Sequence, residues 1–234
     1  MYLGTALYLT KELREQGVFT KMQQALTQSS SNTPSIPKRI IQFWDDPQPP
    51  EEVQTICKSW GEYNSNYEYT MFSLDKAIAF LQENYDSQVL QAFNNCHHAA
   101  TKSDFFRLAY LNQRGGFYAD VDDKCLQPLD ALVNHNPELI VAQGLRSNIE
   151  NDFLGCIPGQ VMIAAAFNQA VESLIDYCNE SPWFKTGPAL ITSSVCNGLV
   201  PYLTTPDYPD LPRIIVLNQS QLRHTVLQYI NIYL

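Results

Sequence analysis

The sequence predicts an α/β domain in which helices cover a central sheet. Short segments rich in β-branched and aromatic residues alternate with longer segments whose apolar residues recur at helical spacing. A length of 234 residues with 45% hydrophobic side chains is enough for one substantial core. In such folds, ligands gather at the carboxyl ends of the strands, so polar residues at those ends are the first candidates for a site.

The N-terminal part of the chain differs from the rest in composition. Residues 6–28 carry an approximately helical apolar pattern that is interrupted at Gly17, which predicts one or two helices. Residues 28–35 are polar and have linker composition, with too little apolar surface to join a core. We therefore predict a helical extension and linker at 1–35, followed by the main domain at 36–234.

Strand and helix patterns then alternate along the main domain. The predicted strands are 36–44, 67–72, 138–143, 151–157 and 213–217, together with a strand after Gly116 that ends in Asp-x-Asp. The predicted helices are 53–60, 75–85, 87–94, 100–114, 129–133, 160–179 and 188–199, of which 160–179 is the longest pattern; a last apolar segment covers 222–229. Ser73 is the expected N-cap of the second of these helices, and Gly115 the expected end of the fourth.

The charge and hydropathy of the chain exclude several classes of partner. A net charge of -9 and a pI near 4.8 argue against nonspecific binding to nucleic acid or to an anionic membrane. The longest apolar runs, such as 161–167, are far short of the ~20 residues that cross a bilayer. Residues 1–10 lack the basic flank and cleavage site of a signal peptide. We expect a cytoplasmic protein, with peripheral attachment to a membrane as the alternative.

The cysteines do not suggest a metal or redox centre. The chain has six, without any C-x-x-C spacing. We interpret them as small buried hydrophobes in a reducing compartment.

The most informative segment is 102–123. A helix that carries Asp104 and Arg107 is followed by a glycine turn, an apolar strand, and the carboxylates Asp120 and Asp122. If the strand continues through these acids, both side chains lie on one face, about 7 Å apart along the backbone. A divalent cation held by one or two carboxylates keeps positions open for substrate phosphates. The motif therefore indicates a site for a nucleoside diphosphate donor.

Asp104 and Arg107 are three residues apart and share a face of their helix. They form either a surface ion pair, worth less than ~1 kcal/mol, or a pair that hydrogen-bonds sugar hydroxyls beside the metal-bound phosphate. Their spacing from Asp-x-Asp favours the second interpretation.

These motifs resemble a known family. The segments IPKRIIQFW, KSDFFRLAYLNQRGGFYADVD, NDFLGCIPG and TGPALIT are similar to the glycosyltransferase sugar-binding region with a DXD motif, which includes Och1-like mannosyltransferases and bacterial surface-glycan transferases. The resemblance covers about 36–192. It implies a GT-A fold with a central mixed sheet flanked by helices, a UDP- or GDP-sugar donor, Mn²⁺ or Mg²⁺, and transfer with retention of configuration. The implied acceptor is a glycan, a lipid-linked molecule or a protein.

The resemblance also implies roles for single residues. Asp122 corresponds to the direct metal ligand and Asp120 to the acid that contacts the metal through water and the ribose or sugar. Asp104 and Arg107 correspond to the donor-sugar pair. With Asp120 and Asp122 they make up the predicted catalytic set. Trp44 corresponds to the aromatic residue beside the nucleotide base.

Further residues are assigned less directly. Gln42, where relatives often have histidine, and Tyr118, on the strand face of Asp120, are predicted to bind the donor. His224 is a further candidate metal ligand, because families of this fold often recruit a late side chain. Asn151 and Gly187 match positions near the cleft, and we expect structural roles for them.

Other candidates near the motif receive secondary roles. Asp123 should point away from Asp122. His97 and His98 are expected at the surface or behind the site, because no third nitrogen or sulfur ligand has a suitable spacing. No carboxylate nucleophile or catalytic base can be named.

Two other functions remain open from the sequence. One is a catalytically silent sugar-binding domain, although the intact acids and arginine count against it. The other is a magnesium-dependent phosphohydrolase, which fits badly because its Asp-x-Asp motif normally follows the first strand of the domain.

Overall fold

The structure is a computed structural model that describes residues 2–28, 35–176, 181–204 and 212–228. Its strands are β1 (Arg39–Phe43), β2 (Glu68–Phe72), β3 (Gly116–Ala119), β4 (Asp123–Cys125), β5 (Leu139–Gln143), β6 (Ile149–Cys156), β7 (Ile214–Leu217) and β8 (Val226–Gln228). A six-stranded mixed sheet has the order β2-β1-β3-β6-β5-β7. Within it, β2, β1 and β3 are parallel, β6 is antiparallel to both β3 and β5, and β5 is parallel to β7. The predicted fold class, α/β with a central mixed sheet, is confirmed.

Helices cover this sheet. They are α1 (Leu3–Glu15), α2 (Val18–Gln28), α3 (Glu51–Tyr63), α4 (Leu74–Asn84), α5 (Ser87–Asn94), α6 (Ala99–Arg114), α7 (Asp130–Val133), α8 (Val161–Ile175), α9 (Pro182–Lys185), α10 (Pro188–Thr204) and α11 (Gln219–Thr225). Ser73 caps α4 by accepting a hydrogen bond from the Lys76 N–H, and Gly115 ends α6, both as predicted. Within the described ranges, no helix is long and apolar enough to cross a bilayer.

The core has two parts that correspond to the two faces of the sheet. Successive residues of β3 alternate between them: Phe117 belongs to one cluster, with Trp60 and Phe153, and Tyr118 to the other, with Phe105 and Phe106. Such alternation is expected of a strand that is covered on both sides. All four residues of β3 are buried, so the strand fixes the position of the chain that follows it.

The N-terminal helices pack onto the far edge of the sheet, α1 against α10 and α2 against β7. Arg14 fastens them there: its Nε donates to the Gln143 side chain at 2.7 Å, and its Nη2 donates to the Val216 carbonyl at 2.8 Å. Most of the proposed linker, 29–34, lies outside the described residues. The division into 1–35 and 36–234 therefore stays a prediction.

The Asp-x-Asp segment corrects one prediction. β3 ends at Ala119, and Asp120 and Asp122 lie in a turn, closed by a hydrogen bond of 3.0 Å from the Asp123 N–H to the Asp120 carbonyl. The extended spacing of the two acids that we expected from a continuous strand is therefore wrong. After the turn, β4 pairs antiparallel with β8 in a small separate sheet, with Asp123 opposite Gln228.

Other corrections concern element lengths and the shortest elements. The longest described helix is α10, not the predicted 160–179 segment, which is helical over α8 and then reaches the undescribed 177–180. α10 continues past the predicted end through Pro201, beyond Leu199. β4, β8 and α9 were not predicted. The prediction that the cysteines are buried is confirmed for the five in the described ranges, which are also free; the reducing compartment stays a prediction, and Cys178 lies outside the described residues.

Candidate active site

Arg107 lies at the centre of a polar cluster beneath the end of β3. It projects from the buried face of α6, and only 3% of its side chain is exposed. Its Nη2 donates to Asp120 Oδ1 at 2.9 Å and to Ser103 Oγ at 3.1 Å, and lies 3.0 Å from Asp104 Oδ1 in an ion pair. Its Nη1 donates to the Asn151 carbonyl. One guanidinium thus connects α6, the Asp-x-Asp turn and β6.

The electrostatics of this group follow from burial and from its acids. Burial by itself would lower the pKa of Arg107, but the nearby Asp120, Tyr118 and Asp104 hold that pKa above its ordinary value. The guanidinium therefore stays charged. The surface ion pair considered for Asp104 and Arg107 is wrong, because both side chains are largely withdrawn from solvent.

Asp104 is held from three elements. Its Oδ1 accepts a hydrogen bond of 2.8 Å from the Asn151 amide, and its Oδ2 accepts one of 3.3 Å from the Thr186 hydroxyl. Burial raises the pKa of Asp104 to about 6, although Arg107 opposes that shift. This carboxyl group therefore titrates closer to neutrality than an exposed aspartate.

Tyr118 and Asp120 do share a side of the chain, as expected from their spacing. The Tyr118 hydroxyl donates to Asp120 Oδ1 at 2.7 Å and lies 2.6 Å from Ser103 Oγ. The Arg107 guanidinium lies over the Tyr118 ring, 4.1 Å from its centroid. Asp120 remains 32% exposed, so its carboxylate is hydrogen-bonded by Arg107 and Tyr118 on one side and accessible on the other.

The backbone of the Asp-x-Asp turn is fixed as firmly as its side chains. The Asp120 N–H donates to the Asp152 carbonyl at 2.9 Å, and the Asp120 carbonyl accepts 2.8 Å from the Gln42 amide. Gln42 is fully buried and accepts 2.8 Å from the Tyr69 hydroxyl. It therefore lies behind the turn and acts on its backbone, and donor binding by Gln42 stays a prediction.

A cavity of about 420 Å³ opens beside these groups. Asp104, Arg107, Asp120 and Asp122 all line it, as does Trp44. The remaining lining residues are Phe43, Asp45, Ala99, Ala100, Ser103 and Val121. The structure thus brings the four predicted catalytic residues and the predicted base-contacting tryptophan to one cavity.

Other sequence candidates lie elsewhere. His224 is exposed on α11, with its Nδ1 near the Ser220 carbonyl, and is not among the residues that line the cavity. His97 and His98 are exposed immediately before α6. No cluster of three or more histidine, cysteine or acidic side chains that could hold a metal occurs in the described part of the chain. Asp120 and Asp122 are left as the candidate ligands.

Asp122 and Asp123 have different surroundings. Asp122 lines the cavity, and partial burial together with the charge of Asp120 raises its pKa. Asp123 is buried, and its Oδ2 lacks a hydrogen-bond partner among the described residues. Burial and the nearby Asp152 raise the pKa of Asp123 well above its ordinary value. Burial and the neighbouring acids therefore both favour the protonated forms of these carboxyl groups at the turn.

Sequence reasoning missed several members of this cluster. Thr186 belongs to the quoted segment TGPALIT, but only its neighbour Gly187 was considered; a threonine before a Gly-Pro helix start was the available signal. Ser103 lies next to Asp104 and could have been suspected from adjacency alone. Asp152 follows Asn151 in a strand, and no local pattern distinguishes it.

Comparison with known proteins agrees with the fold and the motif. Residues 50–139 match the family model described as glycosyltransferase sugar-binding region containing DXD motif. Over 108 residues the chain is 37% identical to an initiation-specific alpha-1,6-mannosyltransferase of Saccharomyces cerevisiae, covering 43% of this chain and 22% of the relative. It is 24% identical over 218 residues to inositol phosphoceramide mannosyltransferase 1 of Schizosaccharomyces pombe, covering 88% and 66%.

Solved structures show the same architecture. The PaToxG glycosyltransferase superimposes with a TM-score of 0.61 at 16% identity, covering 85% of this chain and 79% of that one. The UDP-bound glycosyltransferase domain of the YGT toxin gives 0.53 at 10% identity, covering 81% and 80%. The fold is thus of the GT-A glycosyltransferase type. Residues 50–139 are similar to the DXD-containing sugar-binding region of glycosyltransferases, which confirms the resemblance seen in the sequence. The chain spans 22% and 66% of the lengths of the two curated relatives.

Proposed function

We propose that this protein is a glycosyltransferase that moves a sugar from a nucleoside diphosphate sugar to an acceptor hydroxyl, depends on a divalent cation and retains the anomeric configuration. The observation that carries the proposal is the shared wall of the 420 Å³ cavity, where Arg107 holds Asp104 and Asp120 in one network beside Asp122. A cavity with a few convergent charged groups is typical of a small-molecule site.

Each of these side chains has a role in the proposal. Asp104 accepts a hydrogen bond from a donor-sugar hydroxyl, since it keeps 16% of its side chain exposed at the cavity. Arg107 keeps Asp104 and Asp120 in place and supplies positive charge near the leaving diphosphate. Trp44 offers an aromatic face to the base.

The residues fit a divalent cation. Asp120 and Asp122 face one cavity; the pKa of Asp122 is raised first by its partial burial and then by the negative charge of Asp120, and a cation between them would offset that charge. Two carboxylate ligands suit Mg²⁺ or Mn²⁺, which keep water and substrate phosphates in their other positions. When bound, the ion would act as a Lewis acid that offsets the charge on the departing diphosphate.

The names of the relatives guide which donors and acceptors should be tested first. The two curated relatives are named as mannosyltransferases, and one structural neighbour was solved with UDP bound. We therefore place GDP-mannose and a set of UDP-hexoses first in a donor screen, and a glycan or inositol phosphoceramide first among acceptors.

Donor hydrolysis with Mn²⁺ tests the proposal. Wild-type protein should release nucleoside diphosphate from one of these donors, lose that activity in a chelator, and lose it in Asp122→Asn. Asp75→Asn, a change at an exposed residue of α4, is the matched control and should keep full activity. Absence of metal-dependent release from every donor would overturn the proposal, and cleavage of simple phosphate esters would favour a phosphohydrolase. Product NMR then reads the anomeric configuration.

A further inference from the structure

The carboxylate of Asp104 is oriented by groups from three separate elements. Its Oδ1 accepts 2.8 Å from Asn151 on β6 and lies 3.0 Å from Arg107 on its own helix. Its Oδ2 accepts 3.3 Å from Thr186, in the connection between α9 and α10. Each oxygen of the carboxylate therefore has its own restraint.

These contacts leave one hydrogen-bond acceptor site of the Asp104 carboxylate unused. A carboxylate offers about four lone-pair sites, two on each oxygen. Among the described residues, Oδ1 faces both Asn151 and Arg107, whereas Oδ2 faces Thr186 alone. One lone pair of Oδ2 thus remains, on a side chain that lines the cavity. Its direction depends on where the Thr186 hydroxyl holds Oδ2.

The backbone around Thr186 is packed tightly enough to fix that hydroxyl. Thr186 is fully buried. A Cβ on the next residue, Gly187, would lie 3.0 Å from Trp183 Cα, closer than most such contacts, so the chain passes close to α9 here. The hydroxyl also lies 3.2 Å from the Pro182 carbonyl. Its single proton has two acceptors, and an ionised carboxylate is the stronger one.

We propose that Thr186 is a positioning residue that aims the remaining lone pair of Asp104 Oδ2 at one hydroxyl of the donor sugar, and thereby sets which sugar epimer is accepted. The inference rests on the proposed glycosyl transfer. Thr186 acts entirely through Asp104 and does not touch the ligand.

The kinetic test compares Thr186→Val, which keeps the shape and removes the hydroxyl, with Thr186→Ser, which keeps the hydroxyl. In donor hydrolysis, kcat of Thr186→Val should fall about 10- to 100-fold with little change in KM, because a misdirected acceptor weakens an interaction made in the transition state. Thr186→Ser should stay near wild type. Thr186→Val should also lose discrimination between donors that are epimers at one hydroxyl. Thr186→Ala replaces the valine variant if valine prevents folding.

A second measurement does not depend on activity. In ¹³C NMR of the Asp104 carboxyl, Thr186→Val should raise the pKa midpoint above the wild-type position near 6, since a donor that favours the ionised form has been removed. Thr186→Ser should leave the midpoint in place. Equal midpoints in all three proteins, or unchanged kcat in Thr186→Val, would overturn the inference while leaving glycosyl transfer intact. A wild-type protein without turnover would overturn the proposed function instead, and the NMR midpoints would still decide the role of Thr186.

Discussion

Arg107 donates a 2.9 Å hydrogen bond to Asp120 and so joins the buried face of α6 to the first acid of the Asp-x-Asp turn. Along the chain, the two residues are separated by the last part of α6, Gly115 and β3. Because Arg107 is buried and each of its three guanidinium nitrogens donates to a nearby acceptor, the acids are held in place before any ligand arrives. The site is therefore largely preorganised by its own charges.

Removing the arginine should destabilise the fold as well as the site. Arg107→Met leaves the buried Asp104 and the half-buried Asp120 without their cation, and loss of one partner from a buried pair costs about 3–5 kcal/mol. We expect the free energy of unfolding, measured with urea at pH 7, to fall by about 3 kcal/mol. The exposed Arg223→Met is the control and should change it by less than about 0.5 kcal/mol. Equal stability of the two variants would contradict the network.

Asp104 should give the protein a distinctive pH dependence. Its pKa is about 6 when folded and near 4 when unfolded, so between these values the folded state binds more protons. Stability from this group is therefore greatest at low pH and falls by about 2 kcal/mol as pH rises from 4 to 6. In Asp104→Asn, the slope of unfolding free energy against pH should become more positive across that window.

Asp130 provides a control of opposite sign. Hydrogen bonds from Lys38, Asn66 and Tyr67 lower the pKa of this exposed carboxylate, so its contribution is present at neutral pH and is lost as pH falls through the lowered value. Asp130→Asn should therefore make the slope less positive in the acid range, by a small amount because the group is solvated. Urea unfolding in a chelator at pH 3, 4, 5, 6 and 7 measures both variants. The same change of slope in both would refute the assignment.

The sequence alone predicted those features that depend on residues close together in the chain. The cap at Ser73, the helix stop at Gly115 and the shared face of Asp104 and Arg107 all follow from spacing along the chain. The other contacts of the site depend on residues that are far apart in the sequence. Asn151 and Thr186 reach Asp104 across 47 and 82 residues of sequence, and no periodicity encodes such a contact.

The turn at Asp120 is the clearest example of a feature that the sequence pattern did not predict. An apolar strand pattern predicts continuation, but the Asp120 carbonyl turns to accept hydrogen bonds from Gln42 and from the Asp123 N–H. β4 and β8 are three residues each, too short for a period of two to be read, and they form by pairing with each other although they are far apart in the sequence.

The glycine turn before β3 should tolerate no side chain. Gly116 has a φ of 102°, and a Cβ there would lie 2.8 Å from the Arg39 carbonyl oxygen, on the neighbouring β1. Gly116→Ala should therefore lower the free energy of unfolding by more than about 2 kcal/mol through strain and displacement of the strand. Gly4→Ala, in an exposed position of α1 with open space around it, should raise it by up to about 1 kcal/mol. Urea unfolding of both variants measures these changes. An unchanged free energy of unfolding in Gly116→Ala would show that β3 can shift to accommodate the side chain.

The hydroxyl of Tyr118 should matter for catalysis as well as for stability. It donates 2.7 Å to Asp120 Oδ1, while the ring packs against the Arg107 guanidinium, and Tyr118→Phe removes the first contact and keeps the second. Asp120 then keeps its hydrogen bond from Arg107, but its carboxylate is less firmly oriented. We expect kcat for donor hydrolysis to fall about 10-fold, with a loss of about 1–2 kcal/mol in the free energy of unfolding.

Tyr85→Phe separates that effect from simple loss of a buried hydrogen bond. The Tyr85 hydroxyl donates to the Ala109 carbonyl at 2.7 Å, in the same core but toward the opposite end of α6 from Asp104. Its loss should lower stability by a similar amount, about 1 kcal/mol, and leave kcat unchanged. If both variants lose kcat equally, the tyrosine hydroxyls contribute only to general rigidity. If neither loses it, Arg107 alone orients Asp120, and the first acid of the turn needs no second brace.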